Sequence, residues 1–284
     1  MVSKRDYNAE MVAAARSVLL ELTHLLGAYR EQIVLVGGWV PEILLPGAHV
    51  GSLDVDLALD HRRLDEAGYK TIKELLLSRG YEEGKQPFIY HRKTNLGDRE
   101  VRVQVDLLAG EYEGSGAKHR HQKMQGVQAR KARGCDLAFE QVVEVTVEGK
   151  LPDGGKDSAR VRVAAIVPFL VMKAMALHDR LKEKDAWDIH YCLRRYPGGL
   201  DALVKAFKPL ADHGLVKEGL EKLAEKFASQ DHVGPKFVAD FDEVTDSEER
   251  ALIQRDAFER VQYLISSSST GACSTTMTWP SGMS

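Results

Sequence analysis

The sequence has few cysteines and no long apolar run. Cys135, Cys192 and Cys273 are widely separated and form no C-x-x-C pair, which argues against a disulfide framework or a cysteine zinc site. No stretch approaches the roughly 18 apolar residues that a transmembrane helix needs. The first ten residues, MVSKRDYNAE, contain no apolar signal core. We therefore expect a cytoplasmic protein that does not span a membrane.

Acidic residues are missing from one segment of the chain. Residues 114–134, which we call the basic segment, contain no Asp or Glu, whereas six cations occur there: Lys118, Arg120, Lys123, Arg130, Lys131 and Arg133. The net charge of −3 over 284 residues hides this asymmetry. The ordinary balance of 44% hydrophobic and 29% charged residues predicts a globular protein of one large domain or two.

The hydrophobic pattern changes character near residue 165. Before it, helix and strand patterns alternate: a helix at 9–29, strands in QIVLVGG, SLDVDLAL, PFIYHRK and REVRVQVDLLA, a short helix from Trp39 to Leu45, a helix at about 63–79, and strand patterns at 136–165. After it, nearly everything has helical spacing. Residues 266–284 are rich in Ser and Thr and carry no charge, which predicts disorder. The sequence therefore predicts an α/β domain at 1–165, a helical domain at 166–265 and a disordered tail at 266–284.

Two carboxylates alternate along the strand pattern SLDVDLAL. Successive side chains of a strand point to opposite faces, so Ser52, Asp54 and Asp56 share one face while apolar residues share the other. Adjacent carboxylates repel, and each is costly to bury unpaired. An exposed face with two solvated aspartates is the plain alternative, and the Asp-x-Asp pattern alone does not decide between that face and a cation site.

A second strand pattern carries a third carboxylate. In EVRVQVDLL, Asp106 lies on the face opposite the valines. If the two strands are neighbours in one sheet, Asp54, Asp56 and Asp106 converge on one point. Oxygen ligands of this kind suit a hard divalent cation, and Mg²⁺ accepts carboxylates while keeping waters and phosphates as other ligands. We therefore predict a Mg²⁺ site on these three carboxylates.

A glycine pair lies between the strand QIVLVGG and the short helix that follows it. Gly37 and Gly38 permit a tight turn and a close backbone approach, and free N–H groups at a helix start favour a phosphate. A plain strand-to-helix turn is the alternative. The sequence contains neither a GxxxxGK[ST] loop nor a dinucleotide fingerprint. A phosphate cradle beside a carboxylate-bound metal is typical of phosphoryl or nucleotidyl transfer.

These motifs together resemble the polymerase-β-type nucleotidyltransferase superfamily. They follow its pattern of Gly37-Gly38, fifteen intervening residues, Asp54-Val55-Asp56 and a later Asp106 on its own strand. The resemblance implies an α/β (α+β) core with a mixed sheet. It also implies two Mg²⁺ ions, or Mn²⁺ in their place, on the triad, and a nucleoside triphosphate beside the glycine turn and Ser52.

The helical half sharpens the resemblance. The stretch MKAMALHDRLKEKDAWDIHYCL contains Lys173, Arg180, Lys184, Asp185 and Asp188 at the spacing typical of AbiEii-type toxin nucleotidyltransferases. In that family a helical C-terminal domain brings a lysine and an aspartate to the nucleotide. The resemblance therefore implies that Lys173 and Asp185 join the triad in catalysis, and that Lys173, Arg180, Lys184 and Asp188 contact the nucleotide.

One residue of the superfamily pattern is missing. The resemblance covers about residues 30–195, but the arginine often found shortly before the S-x-D-h-D strand is absent, with His49 nearby. One phosphate contact is therefore unaccounted for.

The charged helix also has a plain interpretation. At 100° per residue, Lys173, Arg180 and Lys184 share one face, and Lys184 and Asp188 form an i,i+4 pair, as on any solvated helix surface. Trp187 and Tyr191 are more typical of a core than of a base-stacking platform. The histidines, including the His119-x-His121 pair, lack the partners of a zinc site, so we expect them at the surface.

The motifs predict a metal-dependent nucleotidyltransferase with its site between the two domains. The nucleophile is not visible in the sequence, so an RNA, a protein hydroxyl and a small molecule all remain open as acceptors. The family resemblance implies a toxin of a type IV toxin–antitoxin system, with tRNA as acceptor and a cognate antitoxin as partner. Within the basic segment, Arg130, Lys131 and Arg133 are candidate contacts to RNA phosphates.

Two rival functions have weaker support. A small-molecule nucleotidyltransferase, such as an antibiotic-modifying enzyme, has no evident use for six unopposed cations, which suit a polyanionic acceptor. A non-catalytic nucleotide- or RNA-binding relative would usually lack one carboxylate of the triad, and all three are present.

Overall fold

Strands dominate the first part of the chain and helices the second. The computed structural model describes residues 2–45, 47–64, 70–96, 99–110 and 121–269. Its strands are β1 Ile33–Val36, β2 Asp54–Leu59, β3 Tyr81–Glu83, β4 Ile89–Leu96, β5 Arg99–Ala109, β6 His121–Met124, β7 Val127–Lys131, β8 Val142–Lys150 and β9 Lys156–Ala164. Its helices are α1 Ala9–Leu25, α2 Trp39–Leu44, α3 Ile72–Ser78, α4 Ile166–Arg180, α5 Glu183–Arg195, α6 Gly199–Phe207, α7 Gly214–Lys226, α8 Val233–Phe241 and α9 Ser247–Ser269.

The strands of the described residues form one mixed sheet in the order β3-β4-β5-β2-β1-β9-β8. The pairs β2–β5 and β1–β9 are parallel, whereas β1–β2, β4–β5 and β8–β9 are antiparallel. Near the end of β5, β7 pairs with it in parallel, and β6 pairs with β7. The predicted α/β fold with a mixed sheet and a helical C-terminal part is therefore confirmed, and β2 and β5 are neighbours as the triad requires.

Alternation along the strands gives the sheet one apolar face for helix α1. Leu19 and Leu22 of α1 pack beside Leu35 of β1 and Leu57 of β2 around a small crevice. All four side chains are buried. Burial of this face removes apolar surface from water and is the main term that stabilises the layer. Along β2, Asp54 and Asp56 alternate with apolar residues of this face and therefore project from the opposite face of the sheet.

Three helix boundaries differ from the sequence prediction by more than one residue. Helix α1, predicted at 9–29, ends at Leu25, and Gly27–Gln32 form a 3-10 helix. Helix α3 begins only after Thr71, whose hydroxyl accepts a hydrogen bond from the Glu74 N–H (3.2 Å) while the Glu74 carboxylate accepts one from the Thr71 N–H (2.8 Å). This capping box satisfies N–H groups that a helix start leaves free, so the helix starts there. Helix α9 continues to Ser269, beyond the predicted end near residue 265. The rest of the predicted tail, 270–284, lies outside the described residues.

The charged stretch predicted as one helical face is divided between two helices. Helix α4 ends at Arg180, Leu181 takes the left-handed conformation (φ 47°), and α5 begins at Glu183. A left-handed residue ends a helix because it turns the following N–H groups away from the helical register. In the ranges described above, none of the helices combines the length and apolarity needed to cross a membrane.

A buried carboxylate ties α1 to the far edge of the sheet. Glu21 is 4% exposed and accepts hydrogen bonds from Arg79 (2.8 Å), Tyr81 (2.9 Å) and Arg92 (2.7 and 3.1 Å). Burial raises its pKa, but the hydrogen bonds from Arg92, Tyr81 and Arg79 outweigh burial and lower the pKa below its usual value. The folded protein therefore prefers the charged form of Glu21.

Replacing Glu21 by Gln is expected to lower the free energy of unfolding by about 3 kcal/mol at pH 7, the lower end of the range for breaking a buried ion pair. The stabilisation requires the carboxylate, so it is complete above the unfolded-state pKa of about 4.3 and is lost as pH falls through the lowered folded-state pKa. Urea unfolding of both proteins between pH 7 and pH 3 checks this, because the difference should shrink at the acid end.

Glu82→Gln is the matched control. Glu82 pairs with Lys93 (2.9 Å) and Arg102 (3.0 Å) on the exposed face of the sheet, where ion pairs contribute little. The urea midpoint of Glu82→Gln should equal that of the parent protein. A Glu21→Gln midpoint as unchanged as that of the control would contradict the role given to the buried cluster.

Candidate active site

Three carboxylates meet where β2 and β5 lie side by side. The parallel register places Asp56 directly beside Asp106, and Asp54 shares the same face. One carboxylate oxygen from each of the three residues lies within 4.8 Å of the others. Burial and the charges of Asp54 and Asp106 hold the pKa of Asp56 well above its usual range, and burial also raises the pKa of Asp106. The cluster therefore has an excess of negative charge that a cation would relieve.

Neighbouring side chains fix the orientation of these carboxylates. Ser52 donates its hydroxyl hydrogen to Asp54 (2.5 Å), and the Trp39 indole N–H donates to the Asp54 carbonyl oxygen (2.7 Å). The Gln104 amide donates to both carboxylate oxygens of Asp106 (3.0 and 3.1 Å). These contacts restrict the rotation of Asp54 and Asp106, so the arrangement is preorganised. Ser52, expected beside the triphosphate, lies in the site as a neighbour of Asp54.

The glycine pair packs directly against the carboxylates. Gly37 has φ 71°, and a Cβ atom there would lie 1.9 Å from Oδ2 of Asp56. A Cβ atom on Gly38 would lie 2.9 Å from the Ser52 hydroxyl oxygen. Close backbone approach, one of the two roles predicted for these glycines, is therefore confirmed in the geometry. Their role as a phosphate cradle remains a prediction.

A second charged cluster faces the triad from the corner between α4 and α5. The Lys173 ammonium lies 2.8 Å from Asp185 and 2.7 Å from Asp188. Arg180 donates to both oxygens of Asp185, at 2.7 and 2.9 Å, and Lys184 donates to Asp188 at 2.6 Å. The predicted i,i+4 pair of Lys184 and Asp188 is confirmed.

The solvated interpretation of this charged stretch is wrong for Lys173 and Lys184, although the Arg180 side chain is 48% exposed. Lys173 and Lys184 are 8% and 4% exposed, and Asp185 and Asp188 are completely buried. Burial disfavours every one of these charges, yet Asp185 and Asp188 raise the pKa of Lys173, and Lys173 and Lys184 hold that of Asp188 well below its usual value. The charges of Lys173, Asp185 and Asp188 are retained because each has an opposite partner at hydrogen-bond distance, whereas burial lowers the pKa of Lys184 despite its contact with Asp188.

His49 was expected at the surface but contacts the α4–α5 cluster through Asp188. Its side chain is fully buried. Its Nδ1 atom accepts the Gly51 N–H (3.0 Å), so the proton of the neutral ring lies on Nε2, which donates to Asp188 (3.0 Å). His190 is also buried, at 4% exposure, and contacts Asp256 at 2.7 Å. The surface prediction is wrong for both histidines. His119 and the side chain of His121 lie outside the described residues.

The two aromatic residues of α5 lie in the core, as predicted. Trp187 and Tyr191 are 5% and 7% exposed and stack on each other with ring centroids 5.3 Å apart. Both contact the His49 ring, at 5.2 and 4.9 Å. The Tyr191 hydroxyl donates to the Leu45 carbonyl oxygen (2.8 Å). They therefore enclose His49 and hold the loop that leads to Ser52.

The two clusters border one pocket of about 310 Å³. Its charged lining residues are Asp54, Asp56, Asp106, Arg130, Lys131, Arg133, Lys173, Asp179, Arg180, Lys182, Lys184 and Asp185. Seven of these twelve are cations, so an anionic ligand would meet positive charge on most sides. The volume suits a nucleotide-sized molecule rather than a macromolecule.

Strand β7 brings part of the basic segment to this pocket. Arg130, Lys131 and Arg133 all line it, and β7 pairs with β5 two residues after Asp106. The Arg133 guanidinium contacts the Glu218 carboxylate at 2.6 Å, so its charge is already balanced by an acid. Arg130 lies over the Phe88 ring, 5.6 Å from its centroid. Lys118, Arg120 and the side chain of Lys123 lie outside the described residues.

Two charged or polar pocket residues, Tyr7 and Lys182, were not anticipated from the sequence, and neither was the contact of His49 with Asp188. His49 had a signal, since it stands where the superfamily pattern has an arginine. Tyr7 had none, because it reaches the pocket only through tertiary packing. Lys182 follows the helix break at Leu181, which the helical spacing of the sequence did not reveal.

The fold and the site define a nucleotidyltransferase. The chain belongs to the AbiEii family, whose model, described as nucleotidyl transferase AbiEii toxin of type IV toxin–antitoxin systems, matches residues 22–262. The family resemblance drawn from the motifs is thereby confirmed. A comparison with curated proteins found no match.

Solved structures are similar only at a distance. JHP933 from Helicobacter pylori is 16% identical over 89% of this chain and 93% of its own, with a TM-score of 0.38. An antigenic nucleotidyltransferase-like protein from Paracoccidioides brasiliensis is 16% identical over 77% of this chain and 89% of its own, with a TM-score of 0.42. Scores this low carry no argument about the site.

Gly37→Ala is expected to lower transfer by about 100-fold, because its Cβ atom must displace the Asp56 carboxylate by roughly 1 Å or more. Gly154→Ala is the matched control: Gly154 also has a positive φ, 90°, but a Cβ atom there meets nothing within 4 Å. Both variants carry the same backbone strain, so both thermal midpoints should fall slightly. Only Gly37→Ala should lose transfer, and equal transfer rates in the two variants would contradict the packing role.

Proposed function

We propose that this nucleotidyltransferase requires a divalent metal and moves a nucleoside monophosphate from a nucleoside triphosphate to RNA, with tRNA as the acceptor class. The observation that carries the proposal is the convergence of three carboxylates, within 4.8 Å, on a pocket whose other charged lining residues are mostly cations. In this proposal the chain is the toxin of a type IV toxin–antitoxin pair, and a cognate antitoxin is its partner. Residues 1–165 form the catalytic domain and 166–265 the helical domain.

Asp54, Asp56 and Asp106 are the proposed metal ligands. The donor set consists of carboxylate oxygens, which suit Mg²⁺ and its substitute Mn²⁺. Burial and the neighbouring charges of Asp54 and Asp106 raise the pKa of Asp56, so a cation beside these carboxylates would be favourable. Both observations fit one or two divalent ions. Bound metal would supply activation of the attacking oxygen and neutralisation of the leaving pyrophosphate.

The α4–α5 corner is the proposed binding wall for the donor nucleotide. Lys173, Arg180 and Lys184 provide positive charge toward the pocket, and Gly37, Gly38 and Ser52 border its other side. Asp185 holds Lys173 and Arg180 together, and Asp188 holds Lys173 and Lys184. We assign Lys173 and Asp185 to the catalytic set because this ion pair fixes a cation opposite the triad without any reorganisation when the donor binds.

The described part of the basic segment is the proposed acceptor contact. Arg130, Lys131 and Arg133 lie on and just after β7, beside the triad strand. An acceptor hydroxyl has to approach the triad from the solvent side, and RNA would bring its phosphates along with that hydroxyl. Cations at the pocket edge would hold those phosphates while the donor occupies the interior.

The metal is tested by Asp56→Asn. Transfer should be abolished, and without added metal the thermal midpoint should stay unchanged or rise slightly, because one source of like-charge repulsion is removed. Adding Mg²⁺ or Mn²⁺ should raise the midpoint of the parent protein and leave that of Asp56→Asn unmoved.

Asp153→Asn, in the turn between β8 and β9, is the control for this change of charge, and it should respond to metal like the parent. Two results would remove the metal mechanism: near-normal transfer by Asp56→Asn, or no metal-dependent shift in the parent.

The acceptor is tested by the double variant Arg130→Ala/Lys131→Ala. RNA binding should weaken, and the slope of log K against log salt should flatten, because each lost phosphate contact no longer releases counterions; the change is about 0.7 per contact for a single strand. Arg133→Ala should contribute less because Glu218 already balances that guanidinium. Filter binding across a salt series, together with labelling of total RNA, gives both quantities.

The control removes two cations elsewhere. Lys150→Ala/Lys156→Ala changes the net charge equally, on the exposed hairpin of β8 and β9. It should keep the parent slope. If the Arg130→Ala/Lys131→Ala variant also keeps it and labels RNA normally, the acceptor is a small molecule or a protein rather than RNA.

A further inference from the structure

The N-terminal residues 2–8, which we call the N-terminal clip, pack against the helical half of the molecule. The Val2 N–H donates to Glu183 at the start of α5 (3.3 Å). Lys4 and Arg5 pair with Asp242 (3.5 Å) and Glu243 (2.8 Å), just after α8. The clip is therefore held from two sides, although it precedes the first helix of the sheet domain.

This clip places one side chain, Tyr7, in the wall of the active-site pocket. The Lys184 ammonium lies over the Tyr7 ring, 5.1 Å from its centroid. The Phe241 ring meets it edge-on with centroids 5.7 Å apart. A cation over the ring and an aromatic edge beside it fix the position of the ring. The hydroxyl is then the group that Tyr7 can offer to a ligand.

The Tyr7 hydroxyl has no hydrogen-bond partner among the residues that the structure describes, unlike the hydroxyls of Tyr29, Tyr81 and Tyr191. Tyr7 is half-buried and lines the pocket, where its hydroxyl can meet a ligand. Burial and the negative charges of Asp188 and Asp54 keep the pKa of Tyr7 above its usual value, so the hydroxyl keeps its hydrogen and can donate it.

We propose that Tyr7 donates a hydrogen bond to a phosphate oxygen of the bound nucleoside triphosphate. Its ring contacts Lys184, and the pocket that it lines is bordered by Ser52, Lys173 and Arg180. A phosphate oxygen is the acceptor that such a cationic environment attracts. The inference rests on the proposed function, because it assumes that the donor occupies this pocket.

Tyr7 lies outside the residues that the family model matches. The family match begins at residue 22, so the clip lies outside it. The binding wall built by α4 and α5 thus gains a contact from a segment that the family match does not include. A specific phosphate contact from this segment would set the affinity of this chain for its donor.

The experiment compares the full-length parent with Tyr7→Phe, which keeps the ring and its contacts and removes only the hydroxyl. Calorimetric titration with each of the four ribonucleoside triphosphates, and with the matching monophosphates, is carried out in the presence of Mg²⁺. Tyr7→Phe should bind the preferred triphosphate about tenfold more weakly, the loss expected for one hydrogen bond to a charged group. Its thermal midpoint without nucleotide should stay that of the parent.

Tyr263→Phe is the matched control. Its hydroxyl hydrogen-bonds to Asp201 on the surface of the helical half, away from the pocket. Tyr263→Phe should bind the triphosphate like the parent. For Tyr7→Phe, the loss of affinity should be smaller with the monophosphate than with the triphosphate.

The outcomes separate this inference from the proposed function. Equal triphosphate affinity of parent and Tyr7→Phe overturns the role of Tyr7 and leaves the donor pocket standing. Tighter binding by Tyr7→Phe also overturns it, because the hydroxyl would then obstruct the ligand. A parent protein that binds none of the triphosphates overturns the proposed function and this inference together.

Discussion

Mutual repulsion of three carboxylates is the constraint on which the rest of the structure depends. Asp54, Asp56 and Asp106 are held together by the parallel pairing of β2 and β5. Because an aspartate side chain is short, the three carboxylates cannot move far enough apart to relieve their repulsion. Gly37 leaves room for Asp56 because it has no Cβ atom, and Ser52 and Gln104 hold the other two carboxylates. The sheet thus stores an electrostatic cost at one point, which is the state that a binding site for a cation requires.

The cluster opposite obeys a different balance. Three cations, Lys173, Arg180 and Lys184, face two carboxylates, Asp185 and Asp188, so that corner is nearly neutral within itself. Four of these five ions are buried, and their mutual contacts hold them in position. The triad wall of the pocket therefore carries negative charge without a cationic partner. The α4–α5 wall presents cations whose positions are already fixed. A triphosphate with its metal would satisfy both walls at once.

Much of the fold and of the candidate site could be predicted from local sequence patterns. The predictions that were wrong concern contacts between residues far apart in the chain. Period-two alternation placed Asp54, Asp56 and Asp106 on the polar faces of their strands, and the T-x-x-E signal at Thr71 marks the start of α3. The break at Leu181 has no Gly or Pro to announce it. Burial of the α5 charges and of His49 follows from packing between segments far apart in the chain, and periodicity carries no information about such contacts.

The pairing of His49 with Asp188 spans 139 residues of chain, and that separation has a consequence for synthesis. A ribosome adding about 5–20 residues per second takes about 7–28 s to pass from one partner to the other. During that interval the loop before β2 lacks its anchor and the pocket lacks its α5 wall. A growing chain therefore carries the triad before it carries a complete site, and the cell has a delay of seconds between the start of translation and the first assembled enzyme.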